Sequence, residues 1–222
     1  MARGTLITIE GIDGAGKSTL AAALADTLAQ RGVQAALLRE PGGVRTAERI
    51  RELVHDPEAT ISGRAEALLY AAARAQLVEE ALAPLLADGR VVLLDRFVDS
   101  SLAYQGAGRE LGIDAIAAIN AFATDGLVPD RTLLLRIDPA AGRARQTQRG
   151  GAPDRLEQQP DPFFARVAAA YDALAAADGE RIRVIDAHQP PAAVLGDALA
   201  AIEDLVTRIT ASAHERGYSS PE

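Results

Sequence analysis

The segment Gly11-Ile12-Asp13-Gly14-Ala15-Gly16-Lys17-Ser18-Thr19 fills every fixed position of the pattern G-x-x-x-x-G-K-[ST]. An apolar run from Thr5 to Ile9 precedes it, and a helical stretch from Ser18 to Ala29 follows. Strand, glycine loop and helix in that order restrict the chain to α/β architectures in which a strand's carboxyl end passes straight into a helix N-terminus. Glycines let successive backbone N–H groups turn inward without Cβ clashes, and the helix that begins near Lys17 adds its positive end. The loop from Gly11 to Thr19 is therefore a cradle for a nucleotide polyphosphate. Lys17 is placed to bridge the β- and γ-phosphates, and the Ser18 hydroxyl to hold Mg²⁺. Lysine and arginine together number 23, and Lys17 is the only lysine among them, leaving 22 arginines. A chain that uses arginine for every other cation keeps a compact ammonium where a planar fork would not fit.

Short, nearly continuous apolar runs recur at Leu6-Ile9, Val33-Leu38, Val91-Leu94, Thr132-Ile137 and Ile182-Ile185. Runs of this kind fit strands buried on both faces of a parallel sheet. Alanine- and leucine-rich helical stretches lie between or after them at Arg64-Ala87, Ile113-Thr124, Pro162-Ala177 and Pro191-Ile209. The expected fold is a five-stranded parallel sheet with helices on both faces, and ligands at the carboxyl ends of the strands. The length of 222 residues suits one such domain, expected over residues 1–210, with a polar, frayed tail over 211–222. Gln148 to Pro162, rich in glycine, proline and charge, reads as a loop and as the natural lid of a phosphoryl-transfer enzyme.

The absence of cysteine excludes disulfides and thiolate metal sites. The three histidines are scattered, which argues against a histidine metal site. No apolar run reaches the roughly 20 residues needed to span a bilayer, and no signal-type segment precedes the first strand, so a cytoplasmic location and no membrane partner are expected. A net charge of −8 argues against a nucleic-acid partner, so anionic substrates must be captured by local arginines.

A second group of residues follows the strands. Arg39-Glu40-Pro41-Gly42-Gly43 is a turn at the end of the second strand, where it can face the ligand crevice. Asp95-Arg96-Phe97 follows the third strand, with the acid where a magnesium carboxylate belongs, and Ser100-Ser101-Leu102-Ala103-Tyr104-Gln105-Gly106 comes next. Tyr70 and Arg74 are four apart on a helical stretch and so share a face.

With these motifs the chain resembles the thymidylate kinase family from about Thr5 to Ile209. The resemblance rests on the glycine loop with Asp13 inside it, Arg-Glu-Pro-Gly-Gly, Asp-Arg-aromatic, Ser-Ser-Leu-Ala-Tyr-Gln-Gly, and Asp154-Arg155-Leu156-Glu157. It is to the bacterial type, in which lid arginines, here Arg149 and Arg155, supply the charge that a glycine-loop arginine supplies elsewhere. The resemblance implies phosphorylation of dTMP to dTDP by ATP and Mg²⁺, in dTTP synthesis, and a homodimer. It implies that Asp13 accepts from the deoxyribose 3'-hydroxyl and that Arg51 and Arg96 clamp the monophosphate. Tyr70 would stack on thymine, Arg74 donate to its O4, Ser101 and Gln105 read the remaining edge, and Tyr104 crowd the 2' position. Glu40 and Pro41 would line the acceptor pocket. Lys17, Arg96 and Arg149 would act on the transferring phosphoryl, with Ser18 and Asp95 at the metal. The adenine would lie near Arg143 and the loop holding Gln189. The alternatives are another P-loop kinase of nucleoside monophosphates and a P-loop regulator that switches a partner surface.

Overall fold

In a computed structural model the described residues are 3–150 and 152–217. All five expected strands form: β1 (Thr5–Glu10), β2 (Ala35–Arg39), β3 (Val91–Asp95), β4 (Arg131–Arg136) and β5 (Ile182–Asp186). They pair in parallel in the order β2-β3-β1-β4-β5, so β1 sits at the centre and the chain reverses its winding on either side of it. β2 starts two residues later than the apolar run that announced it; Val33 is buried just ahead of the strand.

Strand alternation sorts the core. Leu6, Val92 and Leu94 point to one face, against Leu77, Leu82, Leu86 and Phe97. Ile7, Ile9 and Leu93 point to the other, against Leu20, Leu24 and Leu28 of α1 (Lys17–Gln30). The same cluster takes in Ile202 and Leu205 of the last helix, Pro191–Gly217. That helix runs through the beginning of the expected tail; the rest of the tail, 218–222, and Gly151 of the expected lid lie outside the described residues.

The remaining helices, in chain order after α1, are α2 (Arg45–His55), α3 (Gly63–Leu77), α4 (Ala83–Ala87), α5 (Val98–Ser101), α6 (Ile113–Thr124), α7 (Pro139–Arg149), α8 (Asp161–Ala177) and α9, already given. The stretch Arg64-Ala87 is thus not one regular helix: a π-helical turn, Val78–Leu82, separates α3 from α4. Pro84, at the start of α4, has no N–H and crowds the carbonyl four residues back, and the wider turn accommodates both defects. A second π-helical turn, Leu102–Gly108, follows α5. Helices α2 and α7 lie outside the expected helical stretches, because both are polar on average; α2 nevertheless carries Ala47, Ile50 and Val54 at helical spacing, and Ala47 and Val54 are buried. The expected loop Gln148-Pro162 is correspondingly shorter, since Gln148 and Arg149 close α7 and Asp161 and Pro162 open α8.

Helix α7 packs directly on the glycine loop. A Cβ added at Gly142, within α7, would lie 2.7 Å from the Asp13 carbonyl oxygen. Alanine in place of a helix-interior glycine ordinarily stabilises by about 0.5–1 kcal/mol. Here it must displace backbone, and overpacking costs about 1–3 kcal/mol, so the second effect wins. Gly142→Ala is expected to lower the melting temperature by a few degrees and to raise the KM for ATP. Scanning calorimetry and steady-state kinetics check it; a variant more stable than the parent would show that the contact is slack.

Candidate active site

The carboxyl ends of β1, β2 and β3 and the C-terminal part of α7 enclose a cavity of about 550 Å³. At its floor, Lys17 is buried and its Nζ donates to the Ile12 carbonyl at 3.0 Å. Burial, and then the neighbouring Arg96, pull the Lys17 ammonium down to about 8, while Asp13 and Asp95 oppose them. The Ser18 hydroxyl donates to Asp95 Oδ2 at 2.7 Å, joining the two residues expected at the metal.

Asp13, Arg96 and Tyr104 form one cluster. Arg96 Nη2 pairs with Asp13 Oδ1, Arg96 Nη1 donates to the Gly11 carbonyl at 3.0 Å, and Tyr104 OH donates to Asp13 Oδ2 at 2.9 Å. The Arg96 guanidinium also lies over the Tyr104 ring, 5.0 Å from its centroid. Burial alone would raise the Asp13 carboxyl, but Arg96 and Lys17 outweigh it and hold the group far below the usual carboxylate range. Asp13 is therefore a fixed negative hydrogen-bond acceptor within the glycine loop.

The acceptor end is built by β2, α2, α3 and the second π-helical turn. Arg51, on α2, donates from Nη1 to the Pro41 carbonyl at 3.0 Å. Tyr70, Ser101, Tyr104, Gln105, Glu40 and Pro41 line the same cavity as Lys17 and Arg96. Burial raises the Tyr70 phenol, so it stays neutral. Arg74 behaves differently from its expected role. It is 1% exposed and does not line the cavity. Its Nε donates to Glu40 at 2.7 Å, Nη1 to Ser101 at 2.8 Å and to Asn120, and Nη2 to the Phe97 carbonyl at 2.9 Å while pairing with Glu40. Arg74 thus donates four hydrogen bonds within the protein and adds an ion pair to Glu40, and it borders the cavity through Glu40 and Ser101, which line it.

The lid arginines separate as well. Arg149 is exposed at the end of α7, lines the cavity and lies 3.4 Å from Glu157. Arg155 is buried and points away: Nη2 pairs with Glu66 at 2.7 Å and Nε donates to the Val54 carbonyl at 2.9 Å. Burial alone would raise the Glu66 carboxyl, but Arg109, Gln105 and Arg155 outweigh it and hold it low. Arg143 and Gln189 also lie outside the cavity lining. Arg143 pairs with Asp161 at 3.1 Å and lies over the Phe164 ring, and Gln189 donates to Asp197 at 2.8 Å. Sequence reasoning missed Arg145, which lines the cavity four residues before Arg149; the i, i+4 spacing was the available signal. It also missed Glu10 and His55, and Glu157 was named only as part of a motif.

The family profile described as Thymidylate kinase matches residues 9–197. The chain belongs to the thymidylate kinase family. A thymidylate kinase of Halorhodospira halophila is 45% identical over 206 residues, 92% of this chain and 96% of that one. A thymidylate kinase of Deinococcus radiodurans is 44% identical over 218 residues, 98% of this chain and all of that one. Among solved structures, the thymidylate kinase of Ehrlichia chaffeensis superposes with a TM-score of 0.75 at 26% identity, covering 90% of this chain and 99% of that one. The activity of a chain in this family is phosphorylation of thymidylate, and a cavity joining a phosphate loop to an arginine-lined acceptor end suits it.

The geometry separates three arginines by experiment. Arg149→Ala is expected to lower kcat strongly with little change in dTMP affinity, since an interaction made mainly in the transition state does not contribute to ground-state binding. Arg96→Ala is expected to damage both. Arg155→Ala should instead lower stability, by up to about 3–5 kcal/mol, because Glu66 loses a partner while buried. Calorimetric dTMP binding without ATP, kcat and thermal melting resolve the three; equal loss of dTMP binding in Arg149→Ala and Arg96→Ala would make Arg149 a substrate clamp.

Proposed function

We propose that the reaction uses ATP and Mg²⁺, and that the enzyme acts as a cytoplasmic homodimer whose catalytic unit spans residues 1–210 with a lid near 148–162. The observation that carries the reading is that Lys17, Asp13, Arg96 and the acceptor-lining Tyr70, Ser101 and Gln105 share one continuous cavity. A nucleotide switch has no need of a second, arginine-lined pocket beside its phosphate loop.

The glycine loop receives the ATP phosphates with Lys17 at their β,γ end. Arg51 and Arg96 hold the monophosphate, whose oxygens a planar fork meets two at a time. Asp13 accepts from the sugar 3'-hydroxyl, Tyr70 stacks on thymine, and Ser101 and Gln105 read its edge. Tyr104, packed on Arg96 and bonded to Asp13, leaves little room for a 2'-hydroxyl. Attack is in line, the acceptor phosphate oxygen forming its bond to the γ-phosphorus as the bond to the β,γ-bridging oxygen breaks. Protein catalysis is then positioning and charge, with Arg96 and Arg149 matched to the equatorial oxygens.

Ser18 and Asp95 fit the metal. Both are hard oxygen donors, and Mg²⁺ keeps waters and phosphate oxygens for its other positions. When bound, Mg²⁺ would neutralise charge on the β- and γ-phosphates. Among the described residues no helix is long and apolar enough to cross a membrane. The dimer reading is supported by exposed apolar side chains on three neighbouring helices, Leu53 on α2, Leu68 on α3 and Phe122 on α6, the last 92% exposed.

An ADP-release assay with ATP and each of dTMP, dUMP, UMP, CMP, GMP and AMP tests the reading. Preference for dTMP is expected, with weaker dUMP turnover because a missing methyl costs only about 1–3 kcal/mol. Better turnover of GMP or CMP would overturn the acceptor assignment. Lys17→Arg is expected to lose at least about 10²-fold in activity, as removal of an electrostatic stabiliser does. Light scattering is expected to give twice the 23.2 kDa chain mass.

A further inference from the structure

Glu10, the last residue of β1, is fully buried, and the site as described so far makes no use of it. Its carboxylate is saturated. Oε1 accepts from the Phe97 N–H at 2.7 Å and the Ser100 N–H at 3.2 Å; Oε2 accepts from the Ser100 hydroxyl and from Tyr171 OH at 2.9 Å. Three of these four donors belong to the segment that immediately follows Arg96. Arg96 itself has φ +70°, the left-handed region that an arginine seldom occupies, and its Nη1 donates to Ser100 Oγ at 3.1 Å. A strained residue keeps such a backbone only where its surroundings over-determine it. Phe97 cannot cap α5 with its own side chain, and the Glu10 carboxylate takes the N–H groups that a capping side chain would otherwise accept.

We propose that Glu10 is a positioning residue for phosphoryl transfer: it locks the turn after β3 so that the Arg96 guanidinium is aimed at the acceptor phosphate. The path is short. Glu10 fixes Phe97 and Ser100 by their backbones, Ser100 Oγ fixes one arm of Arg96, and Asp13 and the Gly11 carbonyl fix the rest. Burial and the like charge of Asp99 raise the Glu10 carboxyl to about 7, while Ser100, Arg96 and the Phe97 N–H favour its ionised form. Asp99 is itself engaged by Arg181 at 2.6 Å, which blunts its repulsion. The arrangement keeps a costly buried acid in place where a neutral cap would have served a merely structural turn.

Glu10→Gln tests this, because it keeps the shape but sets an amide N–H₂ against hydroxyl or backbone donors. The inference rests on the reading of Arg96 as phosphate clamp, so E10Q, R96A and the E10Q/R96A double variant are measured together. E10Q is expected to lose about 10- to 100-fold in kcat/KM for dTMP, the scale of a misplacement near 1 Å. Its ATP affinity, measured by calorimetry, is expected to stay within about twofold of the parent, since the phosphate loop is untouched. The double variant is expected to be no slower than R96A, because Glu10 acts through Arg96. Additive loss in the double variant, or an E10Q that matches the parent beside a crippled R96A, overturns the inference alone. Full activity in R96A overturns the reading of Arg96, and the inference with it. Should E10Q fail to fold, Tyr171→Phe, which removes one donor to the same carboxylate, is expected to give a smaller loss with the same split between acceptor and ATP; loss of both affinities alike would overturn the inference.

Discussion

The pairing of β1 with β3 in the register Ile9↔Asp95 is the constraint on which the site depends. The two strands end side by side, so the glycine loop leaving one and the Asp95-Arg96-Phe97 turn leaving the other emerge within hydrogen-bonding range. The ladder continues one step past the strand, since Arg96 N–H donates to the Ile9 carbonyl at 3.0 Å. From that anchor Ser18 meets Asp95, Arg96 meets Asp13, and Glu10 meets Phe97 and Ser100. A slip of one residue would send Glu10 to the opposite face and strip the turn of its acceptor. Buried parallel strands resist such a slip, because every side chain on both faces is specified by packing.

Arginine and lysine divide the electrostatic tasks. Arg74, Arg155 and Arg181 are forks that pair with the buried carboxylates of Glu40, Glu66 and Asp99 and hold them in place. A lysine could not reach several acceptors in one plane. Lys17 faces a narrower task at the floor of the cavity, where its ammonium donates to the Ile12 carbonyl, and a compact ammonium fits. The chain's net negative charge is thus no obstacle to binding two anionic nucleotides. The acids at and behind the cavity, Asp13, Glu40 and Glu66, are paired with Arg96, Arg74 and Arg155, while Arg145 and Arg149 are exposed at the cavity.

Much of this was legible in the sequence, for identifiable reasons. Glycines at fixed spacing before a lysine mark a backbone that only glycine adopts readily, and Gly14 and Gly16 do have φ of +79° and +97°. Continuous Val, Ile and Leu runs mark strands, and all five were found, but burial on both faces holds only for the inner strands β1, β3 and β4; the edge strands β2 and β5 leave Leu37 and Val184 exposed. The π-helical turns were not legible, because local spacing does not reveal where proline or tertiary packing widens a helix. Helices α2 and α7 were missed since they lie on the surface with mostly polar sequences. The individual arginines were the hardest. Residue type announces a cation, but whether its partner is a substrate phosphate or a buried glutamate depends on which acid the fold brings near; Glu66 claimed Arg155 from 89 positions away, as the numbers 66 and 155 give.

That claim changes how a lid on this scaffold can work. The segment Asp154-Arg155-Leu156-Glu157 is tied down on the acceptor side: Arg155 to Glu66 of α3, the Arg155 N–H to the His55 carbonyl of α2 at 3.4 Å, and the His55 ring to Asp154 at 3.0 Å. Arg51, the proposed clamp of the monophosphate, lies one helical turn before His55 on α2, and both line the cavity. The helix that would hold the acceptor phosphate is therefore the same helix that anchors one end of the lid. On the proposed lid reading, the part of the lid left free of the acceptor side is the end of α7, carrying Arg145 and Arg149, and the Arg149–Glu157 contact joins it to the docked edge. Charge delivered by a helix end pivoting over a fixed strut loses less conformational freedom than charge delivered by a free loop, because only a few hinge residues have to be ordered.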